Sequence, residues 1–159
     1  MMTANQLTSP QHRNTVIAIA LIIVFAIAAM VLTRPQTHTS SLSPVSGLIT
    51  LKASAQSAMP YEQAMKNPNP TLIEFYADWC TTCQRLAPTL ASVHDELGSE
   101  LNFVMLDIDD PQWRSQIQQF HVSGVPHLVL LNADQSIADS FVGNVPASIL
   151  RDRLTHLLG

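Results

Sequence analysis

The chain has 159 residues, of which 47% are hydrophobic and 13% charged, a length that fits one compact domain with an appendage but not two full domains. Residues 1–54 contain three basic residues and no acidic one, whereas residues 55–159 contain all 12 acidic residues and the other five basic ones. The acidic larger part argues against nucleic acid as a partner, because contact with phosphates needs clustered Lys and Arg. The distribution predicts a segment that approaches a membrane, followed by a domain that faces water.

The first predicted element is a transmembrane helix at residues 15–33, after a short N-terminal tail at residues 1–14. The 19 residues carry no charge and lie between Arg13 and Arg34. A helix of that length spans about 28 Å, close to a hydrocarbon core of roughly 30 Å. A cleaved signal peptide is the main alternative, because Ala26-Ile27-Ala28 resembles a cleavage site, although the apolar run continues beyond it. A buried helix of a soluble protein is another. The flanking charges favour a tail inside and a translocated domain.

Residues 34–58 are predicted to form a flexible linker. They are rich in Ser, Thr, Ala and Pro and show no helical periodicity, a composition that suits a tether. Leu48–Leu51 could form a short strand, which we do not expect.

Residues 59–159 show the pattern of an α/β domain. Apolar residues at helical spacing alternate with β-branched or continuously apolar runs. The predicted helices are Tyr61–Lys66, Cys80–Leu97 with a kink at Pro88, Gln112–Phe120 and Pro146–Leu158. The predicted strands are Thr71–Ala77, Leu101–Ile108, His127–Leu131 and Ser136–Val142. The last two should form an antiparallel hairpin, and the order of elements implies a mixed sheet with helices on both faces.

The only two cysteines form the motif Cys80-Thr81-Thr82-Cys83, where a predicted strand is followed by a helix. The first turn of a helix offers unpaired N–H groups and the positive end of the dipole, which stabilise a thiolate and lower the pKa of a thiol. Cys80 should be exposed enough to attack a substrate disulfide, beside Trp79, which is expected to shape the docking surface. Cys83, one turn later and more buried, should resolve the mixed disulfide. The motif predicts thiol–disulfide exchange.

Other interpretations of the cysteine pair are weaker, and we expect no metal and no cofactor. A Cys2His2 zinc site could recruit His121 and His127, but these lie too far along the chain for a zinc finger. A c-type haem site needs His directly after Cys83, where Gln84 stands. A purely structural disulfide would close only a tiny loop and gain little entropy. Three aspartates after a predicted strand are interpreted as a solvated turn rather than a metal site: Asp107, Asp109 and Asp110.

The segments FYADWCTTCQRLAP, LNFVMLDIDD and VSGVPHLVLL occur in the order of the thioredoxin superfamily, and Pro60–Gly159 resembles a thioredoxin domain. More narrowly, these segments are similar to those of the membrane-anchored thioredoxin-like proteins of cyanobacteria and plastid thylakoids. Those proteins hold their domain in the lumen and act in cytochrome assembly. The resemblance implies a thioredoxin-like fold after an N-terminal transmembrane helix.

The resemblance also implies roles for residues outside the cysteine pair. Val125 and Pro126 match the family's cis-proline loop, which lies against the cysteines and offers a backbone edge to bound substrate. Glu74 matches the family's buried acid, which assists proton transfer from the second cysteine; a solvent-facing strand carboxylate is the alternative. Pro88 and Gly143 match structural positions.

The sequence departs from the family pattern at two places. Thr81-Thr82 replaces the familiar Gly-Pro between the cysteines, and that dipeptide tunes the redox potential. Met105 stands where a lysine usually faces the buried acid, so Glu74 has less reason to stay ionised and its role as a base is in doubt.

We expect a protein-disulfide reductase, a single-pass protein of the thylakoid or plasma membrane with its domain on the lumenal or periplasmic side. The resemblance implies client proteins with disulfides, apocytochromes among them, and a membrane thiol-electron transporter as electron donor. One alternative is an oxidant that installs disulfides, which often carries a His between its cysteines. Another is a metallochaperone that holds Cu(I) on Cys80, Cys83 and His127.

Overall fold

The computed structural model of the protein describes residues 44–159 and, before them, only Ile23, which is helical and exposed. The predicted tail at residues 1–14, the predicted transmembrane helix at residues 15–33 (Ile23 apart) and residues 34–43 lie outside the described residues. In the described part of the chain, no helix is long and apolar enough to cross a membrane. Residues 44–159 belong to one compact unit.

The elements of this unit follow the predicted order. The helices are α1 (Pro44–Ser57), α2 (Tyr61–Ala64), α3 (Thr81–Leu97), α4 (Arg114–Gln119) and α5 (Ala147–Leu158), and a short 3-10 helix at Pro111–Trp113 leads into α4. The strands are β1 (Thr71–Tyr76), β2 (Asn102–Asp107), β3 (His127–Leu131) and β4 (Ile137–Val142). From α2 onward every predicted helix and strand is confirmed, with ends that shift by a few residues.

The four strands form one mixed sheet in the order β2-β1-β3-β4. β1 pairs with β2 in parallel and with β3 antiparallel, and β3 and β4 form the predicted antiparallel hairpin. All six residues of β1 are buried, as expected for a central strand covered on both faces.

Side chains of β1 alternate between two layers of core. Leu72 packs with residues of α3 and α5, including Leu86, Leu90 and Leu154, whereas Ile73 points to the opposite face, toward α2 and α4. The predicted mixed sheet with helices on both faces is therefore confirmed. Burial of each such leucine contributes about 1.5–3 kcal/mol, so these layers hold β1 and α3 in fixed relation.

Helix α1 corrects the prediction of a flexible linker over residues 34–58. Pro44–Ser57 is helical and packs against α3, so over these residues the prediction is wrong. Leu51 is fully buried, and Gly47 and Ala55, four residues before and after it, also face inward. The helical period is present, but small side chains occupy two of its three positions, so it leaves no apolar stripe in the sequence.

Candidate active site

The cysteine pair lies where β1 leads into α3, as the motif predicts. Cys80 is the N-cap residue of α3, and its Sγ accepts a hydrogen bond from the backbone N–H of Cys83 at 3.1 Å. The two residues form a disulfide, with their Cα atoms 5.2 Å apart. Cys80 is 5% exposed and Cys83 is fully buried, which matches the predicted order of exposure.

The cap position makes Cys80 the sulfur whose negative charge the fold stabilises. In the disulfide form the N–H of Cys83 already points at Cys80 Sγ, which also lies at the positive end of the α3 dipole. Both effects favour the thiolate over the thiol and lower the pKa of a cysteine at a helix N-terminus. Cys83, one turn later, is fully buried.

A compact apolar cluster surrounds the two cysteines and draws on six parts of the chain. Its other buried members come from α1, the end of β1 and α3: Leu51, Tyr76, Ala77 and Ala87. Partly buried residues pack against it from α1, β2, the loop after β2 and the loop before β3: Ala55, Met105, Ile108 and Val125. We call this set the cysteine cluster. The sequence did not predict that α1 belongs to it.

The loop before β3 lies beside the pair, as the resemblance implies. The Val125–Pro126 peptide bond is cis, and Val125 packs against the cysteine cluster. The carbonyl oxygen of Pro126 accepts a hydrogen bond from the N–H of Gly143 at 2.8 Å. Gly143 has a φ of 89°, a conformation that favours glycine, so this residue ties the end of β4 to the loop.

Trp79 lies on the surface next to Cys80 and is 64% exposed. Its indole N–H donates a hydrogen bond to Asp109 Oδ2 at 2.8 Å. Asp109 was interpreted only as part of a solvated turn, so the sequence did not predict this contact. A signal was present, because Trp79 and Asp109 follow the parallel neighbours β1 and β2, whose carboxyl ends meet at one edge of the sheet.

Glu74 is fully buried in the middle of β1, between Met105 of β2 and Leu128 of β3 in the register of the sheet. The alternative of a solvent-facing carboxylate is wrong. Neither carboxyl oxygen has a hydrogen-bonding partner among the described residues. Burial raises the pKa of Glu74 from 4.5 to about 8, so the group is mostly protonated at neutral pH. The apolar Met105 offers no cation to oppose this shift.

His127, the possible third ligand of a copper site, contacts Ser140 of β4 and Phe75 of β1, neither of which belongs to the cysteine cluster. Its Nε2 lies 2.7 Å from Ser140 Oγ, and its ring meets that of Phe75 edge to face at 6.0 Å. Burial lowers the pKa of His127, which keeps the ring neutral. Within residues 44–159, no three His, Cys, Asp or Glu side chains are grouped so that they could hold a metal ion.

Comparisons with known proteins agree with this geometry. The family model described as Thioredoxin matches residues 52–156. The chain is 36% identical over 152 residues to the thiol:disulfide interchange protein TxlA homolog of Synechocystis sp.. The matched region covers 96% of this chain and 79% of that protein. It is 34% identical over 157 residues to the thiol:disulfide interchange protein TxlA of Synechococcus elongatus, covering 99% of this chain and 77% of that protein. Identity to the chloroplastic thioredoxin-like protein HCF164 of Arabidopsis thaliana is 38% over 109 residues, 69% of this chain and 42% of that protein.

Proposed function

Since the chain belongs to the thioredoxin family and is a thiol-disulfide oxidoreductase, we propose that it acts as a protein-disulfide reductase, with Cys80 as nucleophile and Cys83 as resolving thiol. The observation that carries the assignment is the N–H of Cys83 directed at Cys80 Sγ, at the start of α3. This contact favours negative charge on Cys80 specifically. The greater exposure of Cys80 lets a client disulfide reach it first.

The proposed reaction has two exchanges. The Cys80 thiolate attacks one sulfur of the client disulfide; a bond forms between Cys80 and that sulfur, the client S–S bond breaks, and the released client thiolate takes up a proton. Cys83 then loses its proton and attacks Cys80 Sγ, forming the Cys80–Cys83 disulfide and releasing the second client thiolate, which is also protonated. Two electrons pass from the protein to the client, which also gains two protons. One is the proton that Cys83 loses, and the other comes from solvent, which took up the Cys80 proton when the thiolate formed.

The residues around the pair have distinct proposed roles. Trp79, on the surface and held by Asp109, forms one wall of the docking surface. Val125 and Pro126 form the other, where an extended client segment can lie against the loop backbone. Glu74 accepts the proton of Cys83 only when it is itself ionised, which its raised pKa restricts to alkaline conditions.

We infer that residues 15–33 anchor the protein as a single span and that the domain faces the lumen of the thylakoid or the periplasm. The uncharged run of 19 residues and the basic residues on either side of it support this placement. The chloroplastic name of one relative supports a photosynthetic membrane. On the far side of the membrane, the disulfide must be reduced again by a membrane thiol-electron transporter, and apocytochromes with oxidised cysteines are the proposed clients.

Trapping the mixed disulfide tests the assignment of the two cysteines. The full chain in detergent, reduced and freed of reductant, is mixed with a peptide that contains one internal disulfide. Wild type should return the peptide as a dithiol, and Cys83→Ser should accumulate a covalent adduct with the peptide on a non-reducing gel. Cys80→Ser, the matched control, should form little adduct. An adduct with Cys80→Ser and none with Cys83→Ser would contradict the assignment.

A further inference from the structure

We propose that Lys52 of α1 is a positioning residue for thiol–disulfide exchange: it holds and neutralises the Asp78 carboxylate beside Cys80 and thereby stabilises the Cys80 thiolate. The inference rests on the proposed role of Cys80 as nucleophile. With this role, α1 contributes to thiol–disulfide exchange although it lies well before the cysteine motif in the sequence.

An ion pair connects α1 to the loop before Cys80. Lys52 Nζ lies 2.7 Å from Asp78 Oδ2, and each side chain is about half exposed, at 53% and 47%. The residue before Lys52 is Leu51, which is fully buried in the cysteine cluster. At the level of Lys52, α1 therefore packs directly against the redox pair, so the position of the ammonium group follows from the packing of the helix.

Asp78 is held from the side of α3 as well. Gln84 Nε2 donates a hydrogen bond to the carbonyl oxygen of Asp78 at 2.7 Å. The backbone of Gln84 is in turn close to α1, because a Cβ added at Gly47 would lie 2.6 Å from the carbonyl oxygen of Gln84. Contacts of both α1 and α3 thus surround the loop that leads to Cys80. They involve Gly47, Gln84, Asp78 and Lys52. The ion pair with Lys52 is the contact in this set that engages the Asp78 carboxylate itself.

The position of Asp78 gives its charge an effect on Cys80. Two residues along the chain place their Cα atoms at most about 7.6 Å apart, less than the Debye length of about 10 Å at 0.1 M salt. The Asp78 charge reaches the cysteine cluster, because it helps to raise the pKa of Tyr76, a buried member of that cluster. An unopposed carboxylate there disfavours a thiolate. The Lys52 ammonium, paired with the carboxylate, cancels most of that repulsion.

Other ionisable groups near the pair do not replace Lys52. Glu74 of β1 is mostly protonated at neutral pH. Arg85 of α3 donates a hydrogen bond to Thr82 Oγ1 at 2.9 Å, and Asp109 accepts one from Trp79. Asp107, at the end of β2, faces Tyr76. All of these groups are unchanged in the variants below, so a difference between variants reports the Lys52–Asp78 pair.

The test measures the rate of Cys80 alkylation by iodoacetamide as a function of pH, in the reduced full chain in detergent. Cys83→Ser is the common background, so that Cys80 is the only thiol. Lys52→Gln should move the midpoint of the pH profile upward and lower the rate at pH 7 by about two- to threefold. Asp78→Asn should raise the rate, and Lys52→Arg should keep the parent rate. In 1 M salt, where the Debye length is about 3 Å, the effect of Lys52→Gln should shrink.

The rate changes expected for Lys52→Gln and Asp78→Asn have opposite signs, which distinguishes an effect of charge on Cys80 from mechanical support of the loop. If the ion pair only braces the loop, both Lys52→Gln and Asp78→Asn break it and should change the rate in the same direction; that result would overturn the proposal, as would an unchanged rate in Lys52→Gln. Lys66→Gln is the matched control, because exposed Lys66 lies before β1, at the end of that strand farther from Cys80. If Cys80 of the parent resists alkylation at every pH, the nucleophile assignment fails first, and this inference fails with it.

Discussion

A buried carboxyl group in the central strand is the residue that most affects how this protein responds to pH. Glu74 has no hydrogen-bonding partner among the described residues, and its pKa is raised to about 8 by burial. Met105, the apolar register partner of Glu74 in β2, brings no positive charge that would oppose this shift. At neutral pH Glu74 therefore keeps its proton and is not a ready base.

The raised pKa of Glu74 predicts that stability falls as pH rises. Between about pH 4.5 and pH 8 the folded chain keeps a proton on Glu74 that the unfolded chain loses, so ionisation in the unfolded state favours unfolding more at each higher pH. The loss over this interval should be on the order of 4 kcal/mol, because one pKa unit corresponds to about 1.4 kcal/mol. Urea unfolding of the oxidised chain at pH 5, 6.5 and 8 measures it.

Glu74→Gln is the matched variant, with the same shape and no titration. It should lose most of this pH dependence and gain stability relative to wild type as pH rises toward 8. Equal pH slopes for Glu74→Gln and wild type would show that Glu74 is ionised in the folded protein, contrary to the geometry.

The chemistry-bearing residues were largely predictable from sequence, whereas their polar partners were not. Cys80, Cys83 and Pro126 carry local motif signals, and each lies where the motif places it. The contact of Trp79 with Asp109 spans 30 residues, and a surface aspartate carries no signal for one particular partner. The same is true of the ion pair between Lys52 and Asp78.

At the scale of elements, α1 is the part of the fold that sequence patterns missed. The predicted strands could be recognised because β-branched and apolar residues fill them, and α3 because large apolar residues repeat at helical spacing. Helix α1 instead buries Gly47 and Leu51 and half-buries Ala55. Two helix backbones can approach this closely only where the side chains between them are small, and a segment rich in small residues has the composition of a linker.

The close approach of α1 and α3 predicts that replacing Gly47 by alanine lowers the stability of the domain, the opposite of the usual effect. Replacing a helical glycine by alanine ordinarily stabilises a protein by up to about 1 kcal/mol. Here the added Cβ would meet the Gln84 carbonyl oxygen at 2.6 Å, so α1 must shift away from α3. Gly47→Ala should therefore destabilise the domain by about 1–3 kcal/mol in urea unfolding.

A control on the exposed face of the same helix separates packing from helix propensity. Ala53→Gly should cost only about 0.5–1 kcal/mol, because Ala53 is exposed. If Gly47→Ala instead stabilised the protein, α1 would not be packed on α3 in solution.

For the whole molecule, the charge distribution and the redox site support one account of function. The basic N-terminal part carries the proposed anchor, and the acidic part carries the cysteine pair and its two docking walls. Sequence alone established the α/β class, the mixed sheet and the exchange chemistry. It could not establish the direction of electron flow, because the potential depends on how Thr81, Thr82 and the N–H of Cys83 together stabilise the reduced pair.

The equilibrium redox potential of the Cys80–Cys83 couple tests the proposed reductase most directly. The full chain in detergent is equilibrated in dithiothreitol or glutathione buffers of known potential, and the fraction of free thiols is measured by labelling. A reductase requires a potential near or below that of thioredoxin, roughly −270 mV, and this is the value that we expect. A potential near −120 mV, typical of strong oxidants, would contradict the reductase and identify a protein that installs disulfides.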